Sequence, residues 1–418
     1  MDQAKAFEMS IEAGRIFTPT APIDEKSLFA GRKGQIRKVT DAIFQKGQHA
    51  VIFGERGVGK TSLSNVLADL LFRLNTTILS PRVNCDVQDT FESLWLKIFN
   101  EIQLNQTVRQ IGFEKPLSQA GISGAALLQG DVSPDAVRRA LMALAQTALP
   151  VLIVDEFDRV PTEVRRAFAD TIKTLSDHAV AATVVLVGVA ESVDQLIDEH
   201  HSIERALVQI QMPRMSTSEI EEIIDTGLAR LEMSIEDSAK RRIVVLSQGL
   251  PHYTHLICLS AVREALDELS SFISIFNIES AMNKAIEGAQ QSIRSSYHTA
   301  IRSPRPDNLF ADVLLACALS KTDDLGMFAA QDVRKPMQAI TGQSYEIPSF
   351  AKHLNEFSEA KRGPVLTKTG TKRSFRYKFI NPLMQPFVIM QGFSTGKITK
   401  DTISNLTEVE SSLFHPLP

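Results

Sequence analysis

The 418-residue chain is 44% hydrophobic and 22% charged, with a formal net charge of −4. That allows two or three domains with sizeable cores, since single cores stop growing near ~250–300 residues. It excludes a chain-wide basic coat for nucleic acid, so any such binding must come from a local patch.

The first 25 residues are weakly patterned and read as an extended lead-in marked by Pro19 and Pro22. The N-terminal MDQAKAFEMSIEAG carries acids and no apolar run, unlike a signal peptide. A core is expected over residues 26–212. Val51–Phe53 reads as a short strand entering a glycine-rich turn. The next helix carries Leu63, Val66, Leu67, Leu70 and Leu71 on one face. Thr77–Val83 reads as a strand and Asp89–Leu104 as an amphipathic helix. Residues 105–134 look like an insertion. A helix over Asp135–Thr147 leads to the strand Pro150–Val154, then a helix over Thr162–Ser176 and the strand Thr183–Val189. Apolar strands alternating with helices indicate a parallel sheet covered on both faces, hence an α/β fold.

Beyond Pro213 the pattern turns helical, with Thr217–Leu231, Asp237–Leu246, Pro251–Leu269 and Ile278–Ala289 in an all-helical domain over 213–292. Residues 293–306, with Pro304 and Pro306, read as a linker. A third domain over 307–392 offers helices at Phe310–Ser320, Ala330–Ile340 and Pro348–Ala360. The strands Val365–Lys368 and Arg373–Ile380 follow, joined by Thr369-Gly370-Thr371. Three helices and then a hairpin is winged-helix order. Residues 393–418 read as a polar tail. The apolar run Ala179–Ala190 falls short of the roughly 18 residues a bilayer span needs. Cys85, Cys258 and Cys317 lie far apart with no CxxC pair, which fits a reducing compartment. A cytoplasmic protein without a membrane segment is the expectation.

Gly54-Glu55-Arg56-Gly57-Val58-Gly59-Lys60-Thr61 fits GxxxxGK[ST] between an apolar strand and a periodic helix, with Ser62 next. Glycines let the backbone curl around an anion so that its N–H groups face phosphate oxygens. Lys60 reaches the β- and γ-phosphates in such loops, and the Thr61 hydroxyl ligates Mg²⁺. Val151–Val154 runs into Asp155-Glu156. An acid at the end of a buried strand can hold the Mg²⁺ shell, and its neighbour can orient or deprotonate water. ATP and Mg²⁺ are therefore the expected cofactors, with Lys60 and Glu156 catalytic and Thr61 and Asp155 on the metal. Asp158 reads equally well as structural.

With these motifs in order, the chain resembles AAA+ ATPases of the origin-recognition initiator type, close to the signal-transducing (STAND) ATPases. The resemblance spans about residues 26–392. It also rests on Phe29-Ala-Gly31-Arg32 before the loop, Asp155-Glu156-Phe-Asp158, Ser247-Gln-Gly249-Leu-Pro251 and the winged helix. It implies a P-loop core with a helical lid, Phe29, Gly31 and Arg32 near the adenine, and a homo-oligomer. It makes Arg205 an arginine finger for a neighbouring subunit, ahead of Arg165 and Arg166. Two departures point to slow hydrolysis. Glu191, followed by Ser192, replaces the usual Asn, Ser or Thr after the Thr183–Val189 strand, and His252 stands where a phosphate-sensing arginine is usual.

Two outputs stay open. One is a DNA-associated ATPase whose wing offers Lys361, Arg362, Lys368, Lys372, Arg373, Arg376 and Lys378, with Arg376 and Lys378 on the solvent face opposite Phe375, Tyr377 and Phe379. The other is a signalling or defence switch whose winged helix binds a protein partner. The Pro348–Ala360 helix mixes Lys352 and Asn355 with Glu356 and Glu359, which disfavours tight major-groove docking.

Overall fold

The computed structural model describes the chain apart from residues 22–30, 74–77, 105–121, 129, 191, 198–202, 306–307, 324, 372–373, 400 and 403–418. Two compact units emerge. One comprises Pro22–Glu55 and Gly59–Met212; the other comprises Met1–Ala21, Arg56–Val58 and Pro213–Pro418.

The first unit is a parallel sheet clad in helices. Its strands are β1 (His49–Gly54), β2 (Ile78–Leu79), β3 (Arg82–Asn84), β6 (Leu149–Asp155), β7 (Thr183–Val189) and β8 (Leu207–Gln211), while β4 (Gln103–Leu104) and β5 (Ile122–Ser123) form a separate small ladder. The spatial order is β2-β6-β7-β1-β8, with β3 also pairing β6. Every β1 residue is buried, as is β6 after its first residue. That is why these strands are apolar throughout rather than alternating. The expected Thr77–Val83 strand is broken into β2 and β3 around Pro81, which has no N–H to give; its carbonyl accepts from Ile153.

Helices α2 (Lys33–Phe44), α3 (Lys60–Arg73), α4 (Phe91–Asn100), α5 (Pro134–Leu144) and α6 (Thr162–Asp177) complete the unit. Helix α4 starts at a Thr90–Ser93 capping box and ends sooner than expected. Its Trp95 stacks on Phe168 of α6, ring centroids 5.1 Å apart. Strand β8 and helix α2 were not legible in advance, and residues 105–121 of the expected insertion lie outside the described residues.

In the second unit the first surprise is α1 (Gln3–Ile16), where an extended lead-in was expected. Asp2 caps it by accepting from the Lys5 N–H, and Ala6, Ala13 and Ile16 are buried. Phe17 then packs so closely on α7 (Thr217–Arg230) that a Cβ at Gly227 would lie 2.4 Å from its ring. Helices α8 (Asp237–Ser247), α9 (Pro251–Asp267) and α10 (Ile275–Glu287) follow, with the short parallel pair β9 (Ser234–Ile235) and β10 (Phe272–Ile273). Gln248 and Gly249, both at positive φ, end α8, and Pro251 opens α9 at a position where its missing N–H costs nothing. The expected linker instead contains α11 (Gln291–Ile301).

The C-terminal part has α12 (Phe310–Leu319), β11 (Phe328–Ala329), α13 (Arg334–Thr341), α14 (Ile347–Glu356), β12 (Leu366–Thr369), β13 (Arg376–Phe379) and α15 (Met384–Ser394). Its sheet runs β11-β13-β12, with antiparallel pairing. Helix α15, also unforeseen, is buried over most of its length. Gln385 within it accepts from Arg214 at 2.6 Å and donates to Gln248 and to the Ala318 carbonyl. The Tyr253 hydroxyl donates to the Leu383 carbonyl at 2.7 Å. No helix among the described residues is long and apolar enough to cross a membrane.

Candidate functional site

Strand β1 ends at Gly54, and the chain turns through Glu55–Gly59 into α3. Gly54 permits a close approach, since a Cβ there would stand 2.4 Å from the Met212 carbonyl oxygen. Gly59 has φ +94, a conformation few residues but glycine adopt. The first N–H groups of α3 have no acceptor within the helix, which makes this turn a seat for an anion. Lys60 is 7% exposed, and its Nζ donates to the Gly54 and Glu55 carbonyls at 3.0 and 2.8 Å. The amine is thus held within the loop itself. The Thr61 hydroxyl makes no hydrogen bond among the described residues, leaving an oxygen for a metal.

Asp155 closes β6 with its side chain 3% exposed. Its Oδ1 accepts from the Glu156 N–H at 2.8 Å, and Oδ2 accepts from Arg82 Nη2 at 2.9 Å. Glu156 follows at φ 56, left-handed backbone that is uncommon outside glycine and that re-aims the acid away from the strand. Its Oε2 accepts from Arg159 Nη1 at 2.7 Å, both side chains being about half exposed. The donor set fits Mg²⁺ with a nucleotide: a hydroxyl, a buried carboxylate and a lysine beside an anion-accepting turn.

Asp158 is structural. Its Oδ1 accepts from the Val189 N–H at 2.7 Å and fixes the end of β7. Arg165 donates to three carbonyls, those of Val160, Asp158 and Gln195, so it serves the fold and is not available as a finger. Arg166 also has a partner. Arg205 is exposed on a 3₁₀ turn over Glu204–Ala206, with no hydrogen bond or ion pair among the described residues. Leu207, two residues on from Arg205, pairs with His49 at the far end of β1 from Gly54. At roughly 3.3 Å per residue, β1 spans about 16 Å, so Arg205 does not reach its own P-loop.

Gly31 and Arg32 both lie at positive φ before α2, and the Arg32 side chain is 2% exposed. Phe29 and Glu191 lie outside the described residues. His252, in the first turn of α9, places Nδ1 2.6 Å from the Pro19 carbonyl, tying the N-terminal segment to the helix. Burial lowers its pKa, with the Pro19 contact opposing and the Arg56 charge adding to the fall. His255, one turn on, is buried with both ring nitrogens lacking a partner among the described residues. Desolvation pulls it down to about 4.

The basic hairpin differs from expectation. Lys378, expected in solvent, is 8% exposed. Alternation places it opposite Tyr377 and Phe379, yet it is covered there, while Arg376 on the same face is exposed. Arg376 donates to Asp323 and to the Met327 carbonyl. Arg362 pairs with Glu356, donates to the Ala300 and Arg302 carbonyls, and lies 3.3 Å from the Phe310 ring centroid. Lys368 donates to Asn355 and sits over Phe375. Lys361 is exposed, and Lys372 and Arg373 lie outside the described residues.

Arg82 and Arg159, the two cations on the paired acids, escaped the sequence reading. The parallel register of Asn84 with Asp155 puts Arg82 beside the acid, and nothing local in the sequence announces that pairing.

A family model described as Novel STAND NTPase 1 matches residues 22–270, more than half of the chain. No curated protein matches it. Among solved structures, the chain is similar to the ORC2 protein of Aeropyrum pernix, with 14% identity, 95% of this chain and 98% of that one covered, and a TM-score of 0.48. It is likewise similar to a Walker-type ATPase of Pyrococcus abyssi, with 14% identity, coverage of 89% and 99%, and a TM-score of 0.49. For the Aeropyrum pernix ORC1 protein, solved in complex with DNA, the identity is 11%, the coverage 92% and 97%, and the TM-score 0.44.

Proposed function

The chain belongs to the Novel STAND NTPase 1 family, and on that premise we propose that it is a slow ATPase acting as a nucleotide-driven switch. The observation that carries this is the loop at 54–62 meeting two acids at the end of a buried strand. Lys60 leaves the loop carbonyls to neutralise β- and γ-phosphate oxygens. Thr61 and Asp155 hold Mg²⁺, which supplies charge neutralisation during phosphoryl transfer. Glu156 orients the attacking water and takes its proton, for which it must turn from Arg159. Gly31 and Arg32, with Phe29, form the base side of the site by family resemblance.

Arg205 serves a second copy of the chain. Its exposure, its lack of a described partner and its place at the far end of β1 support action between subunits in a homo-oligomer, where it stabilises transition-state charge. His252, engaged with the Pro19 carbonyl, fits a tether of the N-terminal segment better than a phosphate contact.

The C-terminal helices and hairpin are the winged-helix output. Engagement of Arg362, Lys368 and Arg376 within the fold, together with burial of Lys378, favours a protein partner over double-stranded DNA. Quantifying phosphate release by purified chain with ATP and Mg²⁺ tests the reading. Absence of both release and nucleotide binding would overturn it.

A further inference from the structure

Resting on that nucleotide reading, we infer that Arg82 is the resident counter-ion of the metal-holding carboxylate, and that Mg²⁺ must displace it from Asp155 to bind. Strands β3 and β6 run parallel with Arg82 opposite Ile153 and Asn84 opposite Asp155. Residues two apart on a strand share a face, so Arg82 and Asn84 project on the same side. From there Arg82 Nη2 lies 2.9 Å from Asp155 Oδ2 and 3.4 Å from Asn84 Oδ1.

A carboxylate this buried needs a compensating charge or donors. Asp155 Oδ1 is taken by the Glu156 N–H, which fixes the carboxyl plane. The Lys60 amine is on the Gly54 and Glu55 carbonyls. The cation on Oδ2 is Arg82, whose Nε is itself buried with no partner among the described residues. A divalent ion drawing on Asp155 would bring two further positive charges beside the guanidinium. Like charges at that range repel, so guanidinium and metal compete for the acid. Arg82 is therefore a positioning residue. It stabilises Asp155 when the metal is away and raises the Mg²⁺ concentration at which the metal takes over.

The test uses the full chain and a fluorescent ADP analogue, first in EDTA and then titrated with Mg²⁺, for wild type, Arg82→Gln and Arg82→Lys. Arg82→Gln is expected to lower the half-saturating Mg²⁺ on the order of tenfold. Arg82→Lys keeps the charge without the planar fork and should lower it about two- to threefold. Without Mg²⁺, Arg82→Gln should melt below wild type, and ADP with Mg²⁺ should close much of that gap. An unchanged or raised Mg²⁺ requirement in folded Arg82→Gln overturns the inference. Should that variant not fold, an unchanged requirement in Arg82→Lys does so. Wild type that binds no ADP under any condition overturns the nucleotide reading itself, a result distinct from either variant outcome.

Discussion

The turn after β1 and the hairpin between β12 and β13 are both short, glycine-containing and cationic, yet they hold their cations differently. At the first, Lys60 donates to the Gly54 and Glu55 carbonyls of its own loop. At the second, Arg376 is tied to Asp323, and Lys368 to Asn355 and the Phe375 ring. A cation resting on carbonyls of the loop that will hold the ligand is placed to serve that ligand, whereas one that supports a neighbouring element does so at the cost of availability. Counting positive charge along a sequence does not separate these cases.

The sharpest break of this comparison is Lys60→Ala. It should abolish nucleotide binding, a loss of at least about a hundredfold, because a charge-assisted contact is removed from an already formed seat. Glu156→Gln should bind ATP near wild-type affinity and lose nearly all turnover, since the glutamate acts on the water. Affinity and phosphate release measured on both variants check this. Turnover by Glu156→Gln at the wild-type rate would remove Glu156 from its role.

What the sequence could show follows the same division. The Gly54–Thr61 loop and the acids at 155 and 156 were legible because backbone conformation and strand ends dictate them locally. The parallel sheet was legible from strands apolar on both faces. Helix α1 was missed because its buried face is three small or single apolar residues, Ala6, Ala13 and Ile16, while Phe7 and Ile11 point to solvent. Strand β8 was missed because Gln209 and Gln211, both exposed, interrupt its short apolar run. Arg82 and the tie of Arg165 to Gln195 depend on partners that only the fold brings near, whereas the Arg159–Glu156 pair is local, three residues apart, and was overlooked.

Arg205 offers the next largest effect. Arg205→Ala should lower turnover about a hundredfold or more, in line with other trans-acting arginines, and leave ATP binding intact. Mixing it with Lys60→Ala, which has an intact Arg205 but no nucleotide, should restore part of the activity. If the mixture stays inactive while Arg205→Ala alone is as active as wild type, this residue is an ordinary surface arginine.

Buried histidines sharpen the contrast between the two units through pH. His255 in α9 and His49 in β1 are both held down to about 4 by desolvation, against 6.5 when free. The unfolded chain takes up these protons first, so stability present above about pH 6.5 is lost as pH falls toward 4. For one such group the loss is on the order of 2–3 kcal/mol. His255→Leu should flatten the acid limb of a melting-temperature profile for the helical unit. An unaltered limb would mean that other groups carry it.

The smallest expected effect concerns the hairpin. Were three or four of its seven cations on phosphates, log affinity for duplex DNA would fall with log salt at a slope of roughly −3. With Arg362, Lys368, Arg376 and Lys378 occupied within the fold, Lys361, Lys372 and Arg373 remain as candidates for such contacts. Duplex binding should then be weak, with a slope nearer about −1. Replacing Lys372 and Arg373 with Gln should remove what slope there is and leave nucleotide binding untouched. Arg376→Gln should lower the melting temperature slightly instead, because it frees Asp323 and the Met327 carbonyl. Surface pairs of this kind contribute about 0–1 kcal/mol. A slope of −3 that disappears only when Arg376 and Lys378 are also changed would return the hairpin to DNA, with both side chains rearranging on contact.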